Sequence, residues 1–138
     1  MGSIPKLLAL YGLTVPVFLA VDILWLGVVA RGFYRRQLGA FLAPQVNWTA
    51  AIVFYLLFIA GILTFAVLPG LKRESLWHAI ALGAFFGLVA YATYDLTNLA
   101  TMRDWPLVVT IVDMLWGAVL SGSVAAASYA IGRNLIGL

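Results

Sequence analysis

Three aspartates lie inside long apolar runs of this 138-residue sequence: Asp22, Asp95 and Asp113. Two of them share a local pattern, because "VDILWLG" at 21–27 and "VDMLWGA" at 112–118 each place an Asp and a Trp three residues apart. A carboxylate in an apolar run is costly to bury, so it is expected to face a polar interior and not lipid. Carboxyl groups in such a place can carry protons, bind cations or act as a general acid or base.

The rest of the sequence indicates that these acids lie within a membrane. Hydrophobic residues make up 64% of the chain and charged residues 9%, whereas soluble domains have roughly 25% charged residues. A spanning helix needs about 20 apolar residues, and the windows 7–30, 49–68, 76–100 and 106–132 satisfy this. The runs do not alternate as barrel strands do. The sequence therefore predicts an all-α bundle of four transmembrane helices forming a single domain, 1–138.

The turn residues suggest where these helices begin and end. Ser3 and Pro5 favour a helix start, Pro69-Gly70 is expected to end the second span, and Asp104 is expected to cap the fourth. The link 31–47 either forms a short amphipathic helix in the membrane interface or is a basic loop with scattered aromatic residues.

The three acids are expected to lie at one depth, on the side of the 31–47 link. In an up-down bundle, the helix rise puts them roughly 12, 8 and 10 Å from the same membrane face. The third span adds a polar stripe, because residues 91, 94, 95 and 98 are spaced at i, i+3, i+4 and i+7. One acid is expected to keep its proton near neutral pH, and polar side chains are expected to surround the group. The candidate residues of this ligand- or proton-binding site are Asp22, Trp25, Tyr91, Tyr94, Asp95, Asn98, Asp113 and Trp116.

The basic residues divide equally between the two ends of the predicted bundle, so the positive-inside rule gives little preference for one orientation. We expect cytoplasmic termini, because the terminal amine adds to that end, although equal counts would also allow insertion both ways. Arg31, Arg35, Arg36 and Arg103, at the end opposite the termini, are expected to contact lipid headgroups. The other end carries Lys6, Lys72, Arg73 and Arg133.

Composition excludes several classes of site. The chain has no cysteine and one histidine, so a disulfide, a structural zinc site and a bis-histidine haem within one protomer are excluded. No metal or cofactor is expected, although a hard cation at the aspartates and Asn98 remains chemically open. No phosphate-binding loop or dinucleotide fingerprint is present. The net charge of +3 suits membrane lipids, and no basic face suits nucleic acid.

Four interpretations of the acids remain open. The first is a non-enzymatic membrane protein that binds or transports a small solute, a proton or a lipid, and it is the one we favour. The second is a lipid-modifying enzyme, and the third is an accessory subunit of a larger complex. In the fourth, the polar residues only hold the helices together. Four helices make a thin wall around a cavity, so a homodimer is also expected.

Three segments resemble the DUF2177 family of small bacterial membrane proteins: "VDILWLGVVARGFYRRQLG", "YATYDLTNLATMRDWP" and "VDMLWGAV". The likeness covers essentially the whole chain. It implies a four-helix protein of the bacterial inner membrane and carries over no catalytic residue, because no activity is assigned to the family.

Overall fold

The computed structural model describes residues 2–138, which form helices and turns and contain no strand. Four helices are long and apolar enough to cross a membrane: α1 (Ile4–Val29), α3 (Trp48–Lys72), α4 (Leu76–Thr101) and α5 (Leu107–Ile136). A short helix, α2 (Arg31–Leu38), lies in the link between the first two. The predicted all-α, four-span bundle is confirmed, and the link contains a helix.

Polar side chains begin three of the spans by accepting a hydrogen bond from a backbone N–H that the first turn leaves free. Ser3 accepts from Lys6 at 3.4 Å, with Pro5 in the first turn as predicted. Asn47 caps α3 by accepting from the backbone N–H of residue 50 at 3.2 Å, and Ser75 caps α4 in the same way.

Two predicted helix ends are wrong. α3 continues through Pro69-Gly70 to Lys72, because a wide π turn (Leu63–Val67) precedes Pro69 and places it in the first turn of a new α-helical segment. A proline is tolerated there, since it has no N–H to contribute to the helix. Asp104 is not the cap of α5. Its φ of 62° is left-handed, a conformation that Asp adopts more readily than most residues, and Pro106 takes the cap position.

Helices α4 and α5 are the most closely packed pair, and glycines make their approach possible. A Cβ added at Gly87 would overlap the carbonyl oxygen of Gly117, and one added at Gly83 would lie 2.6 Å from the Cβ of Ala125. Close approach at small residues is a common way for membrane helices to associate. The glycines at 83 and 87 therefore allow α4 and α5 to approach this closely.

The apolar core lies between α1, α3 and α5. Phe18, Ile59 and Leu120 are fully buried there, and one side of α4 closes the cluster. A buried hydroxyl pair crosses it nearer the termini: Thr14 donates to the carbonyl of Leu10 at 2.7 Å, so it accepts from Ser128 at 2.8 Å.

The two ends of the bundle are identified by contacts between turns. Leu38 of α2 packs against Trp105, which precedes α5, and Phe41 lies 5.6 Å from the same indole ring. At the opposite end, the Arg133 guanidinium contacts the Glu74 carboxylate at 3.0 Å. The 31–47 link and the 102–105 turn therefore share one end of the bundle, as expected, with both termini at the other.

Candidate functional site

Helix α2 covers the acidic residues and is tied to them by one hydrogen-bonded chain. The phenol of Tyr34 donates to Asp113 Oδ1 at 2.7 Å, and the Trp25 indole N–H donates to the Tyr34 oxygen at 3.2 Å. Burial, reinforced by the nearby Asp113 carboxyl group, raises the pKa of Tyr34 well above its usual value. Tyr34 therefore keeps its proton at neutral pH and remains a donor. Helix α2 therefore lies over the end of the acidic group that faces the 31–47 link.

Asp95 is the most unusual of the three acids. Its side chain is fully buried, and neither carboxyl oxygen has a hydrogen-bond partner within residues 2–138. Asp113 lies next to it on the facing helix α5. An ionised carboxylate in such a position costs several kcal/mol, so the geometry suits a carboxyl group that carries a proton or meets a cation.

Asp22 joins the same group from α1. Its side chain is 4% exposed and lies beside Tyr55 of α3 and Trp116 of α5, with Asp113 close by. Asp113 is therefore the neighbour of both other acids. The structure brings the three carboxyl groups together between α1, α4 and α5, at the end of the bundle that α2 covers.

The two similar sequence motifs meet in space. The rings of Trp25 and Trp116 stack with centroids 4.5 Å apart and planes 9° from parallel. This stack joins α1 to α5 directly beside Asp22 and Asp113. The Trp116 indole N–H is buried without a hydrogen-bond partner within residues 2–138, as is the hydroxyl of Ser121 further along the same helix. Beside the acids, the Trp116 indole N–H is thus a donor without a partner among these residues.

The remaining predicted residues lie at the edge of the group. Tyr91 is half-buried against Gly117 and close to Asp22 and Asp113. Tyr94 is 55% exposed and packs edge-on against Trp105 at 5.7 Å, so it stands at the rim. Asn98 is half-buried one turn beyond Asp95. The four arginines proposed for headgroup contact, Arg31, Arg35, Arg36 and Arg103, are all exposed at this end.

Two residues of the arrangement were absent from the predicted site: Tyr34 and Tyr55. Depth along the helix was a usable signal for Tyr55, since it lies at the level of the acids. No spacing signal existed for Tyr34, because its partner Asp113 is 79 residues away. The apolar face of the short helix, which Tyr34 shares with Phe33 and Leu38, was the only indication that it contacts protein.

The described residues, 2–138, contain no group of three or more His, Asp or Glu side chains arranged to hold a metal ion. Adjacent carboxyl groups without basic partners can instead share protons or pair with a single positive charge.

Comparison with known proteins gives one match. The family model described as "Predicted membrane protein (DUF2177)" matches residues 7–130, which is most of the chain. No curated protein and no solved structure matches.

Proposed function

This chain belongs to the DUF2177 family of predicted membrane proteins, and we propose that it binds protons and moves them within the bacterial inner membrane, without enzymatic chemistry, using Asp22, Asp95 and Asp113. The observation that carries the proposal is the Asp95 carboxyl group, which is fully buried in a spanning helix and has no hydrogen-bond partner in residues 2–138. Charged groups within spans that face a protein interior are typical of proton and ion pathways.

The carboxyl groups next to Asp95 can accept its proton. Asp113 accepts the phenol hydrogen bond of Tyr34. Asp95 has no such donor, so burial favours its protonated form. Asp113 lies next to Asp95 and also near Asp22, so both carboxyl groups can take up a proton from Asp95. Protons titrate from such a set as a whole.

The basic residues at the end of the bundle that α2 covers support the proposed placement of the protein in the membrane. Four exposed arginines there are placed to contact anionic lipid headgroups, which attract basic side chains near the surface. We place the termini in the cytoplasm, where the terminal amine adds to the basic residues of that end.

Proton flux into proteoliposomes tests the function. Purified protein is reconstituted around a trapped pH-sensitive dye, and a potassium diffusion potential drives protons inward. We expect Asp95→Asn to lower the initial rate at least tenfold. Asp104→Asn is the matched control, because Asp104 is an exposed turn residue and Asn also tolerates its left-handed backbone.

Either of two results would contradict the proposal: wild-type flux no faster than that of protein-free vesicles, or equal flux in wild type and Asp95→Asn. Infrared absorption supplies a readout that does not depend on transport. A protonated carboxyl band should be present at neutral pH in wild-type protein and in Asp104→Asn, and it should be missing from Asp95→Asn.

A further inference from the structure

The seam between α1 and α3 is the loosest contact between neighbouring spans on the lipid-facing side of the bundle. Two shallow apolar grooves follow it, with volumes of about 250 and 140 Å³. The larger lies toward the termini, between Leu7 and Leu68. The smaller lies toward the acids, between Leu19 and Ile52. Together they cover most of the depth of the span, since Leu7 and Leu19 are about 18 Å apart along α1.

One polar contact holds the seam between the two grooves. The phenol of Tyr11 on α1 donates to the backbone carbonyl of Leu56 on α3 at 2.8 Å. Tyr11 lines the larger groove and Leu56 the smaller. In α4 and α5, by contrast, interlocked glycines fix the spacing. The α1–α3 seam therefore lacks the close backbone contact that joins α4 to α5.

The smaller groove leads to the acids. Its inner wall is Tyr55, whose ring packs against Phe18 at 5.3 Å and which lies beside Asp22. The other walls of this groove are aliphatic side chains: Val15, Leu19, Ile52, Leu56 and Ile59. A single phenol therefore separates an apolar, lipid-facing groove from a buried carboxyl group.

We propose that this seam is a binding site and lateral entrance for an amphiphilic cation, with its hydrocarbon tail in the grooves and its ammonium group on Asp22. A carboxylate at this depth is best compensated by a positive charge. The aqueous route is unfavourable for a cation, because α2 covers the acids and four arginines lie at that end. A hydrophobic cation reaches the same carboxyl group from the lipid, past Tyr55, without crossing the basic surface.

The inference rests on the proposed function, because it uses one acid of the same set. Charge balances if the ammonium group enters intact and one proton leaves the carboxyl set to the aqueous phase. No covalent bond forms or breaks. The protein would then exchange protons for amphiphilic cations between its interior and the membrane.

Binding of radiolabelled dodecyltrimethylammonium to protein in nanodiscs of zwitterionic lipid tests this site, with dodecanol as the uncharged comparison. We expect the ammonium compound to bind at least tenfold more tightly than the alcohol. Asp22→Asn should remove that difference. Leu19→Trp, which fills the smaller groove, should weaken binding of both compounds. Leu13→Trp is the control, because Leu13 is 44% exposed on α1 and lines neither groove.

Equal binding of ammonium and alcohol by wild-type protein, or full ammonium binding by Leu19→Trp, would overturn the inference. The Leu19→Trp result keeps the test decisive if Asp22→Asn fails to fold. A pH electrode in weakly buffered solution should record about one proton released per ammonium bound. Asp95-dependent proton flux without ammonium binding would refute this site alone. Ammonium binding without proton flux would refute the proposed function alone.

Discussion

Replacing Asp95 with threonine should stabilise the protein while abolishing its function. In the folded state the carboxyl group of Asp95 is buried and makes no hydrogen bond within residues 2–138. Threonine is close to aspartate in size, and three threonines of the same helix show how its hydroxyl would be satisfied. Thr93 and Thr101 donate to the carbonyl four residues earlier at 2.8 and 2.7 Å, and Thr97 does the same. A threonine at position 95 can donate to the carbonyl of Tyr91 in this way.

The expected gain follows from the polar group that is removed. A buried polar group without a partner costs about 1–3 kcal/mol, so Asp95→Thr should raise the free energy of unfolding by about that amount. If the carboxyl group is ionised in the fold, the gain is larger, since an unpaired buried charge costs more. Such a trade of stability for activity is expected where an active group sits in an unfavourable environment.

Equilibrium unfolding in mixed micelles of mild detergent and dodecyl sulfate measures this difference. Asp104→Asn, at an exposed turn, should change the free energy of unfolding by less than about 0.5 kcal/mol. A loss of 1 kcal/mol or more in Asp95→Thr would refute the reasoning, because it would show that Asp95 makes stabilising contacts. Proton flux through the purified variant should meanwhile fall as it does in Asp95→Asn.

Three further predictions follow from other contacts. Tyr34→Phe removes the hydrogen bonds to Trp25 and Asp113 and should lower the free energy of unfolding by about 1–3 kcal/mol. Tyr129→Phe is the control, and an equal loss in the two variants would show that α2 is not held by the Tyr34 phenol. Gly87→Leu places a side chain against the Gly117 carbonyl and should lower the free energy of unfolding by more than about 3 kcal/mol. Gly12→Leu should be nearly neutral, because a Cβ added at Gly12 meets nothing within 4 Å. Similar losses of stability in the two variants would refute close packing of α4 on α5. Cysteine at position 36 or 103 should react with an impermeant thiol reagent from one side of the membrane, and cysteine at position 72 should react from the other. Labelling of positions 36 and 103 from opposite sides would contradict the four-span fold. Labelling of each position from both sides would show that the protein inserts in both orientations.

The level at which the acids meet could be predicted from sequence, because it depends only on helix rise and on the order of the spans. Asp22, Asp95 and Asp113 lie within one turn of each other by that count, and burial excludes the lipid-facing side of each helix. Close packing at Gly87 was predictable for a similar reason, since only a small residue permits it. These inferences use regular geometry that every helix shares.

The contacts that define the site were not predictable from sequence. The bond between Tyr34 and Asp113 depends on how α2 folds back over the bundle, and a turn near Ala30 sets that direction. Whether the Asp95 carboxyl group finds a hydrogen-bond partner depends on side-chain conformations at three helix surfaces. The predicted helix end at Pro69 is wrong because a π turn upstream shifts the helix register by one residue. Local residue preferences carry no information about any of these.

Under the proposed function, the position of the apolar core determines how a proton bound by these acids would leave. On the side of the termini, the packed side chains of Phe18, Ile59 and Leu120 fill the interior next to Asp22. Beyond them, the Thr14 hydroxyl donates to the carbonyl of Leu10 and accepts from Ser128. Within residues 2–138, no hydrogen bond therefore links the acids to this pair.

Exchange with water must then use the opposite end or the side of the bundle. At the opposite end, Tyr34 must release Asp113 before α2 can lift. At the side, Tyr55 must turn away from Asp22, in the seam that Tyr11 holds with one hydrogen bond. A hydrogen bond within a membrane protein contributes only about 0.6–2 kcal/mol, so thermal motion can break either contact. Under the proposed function, movement of protons across the whole membrane would also require the apolar core between α1 and α5 to separate, while the glycine contacts keep α4 close to α5.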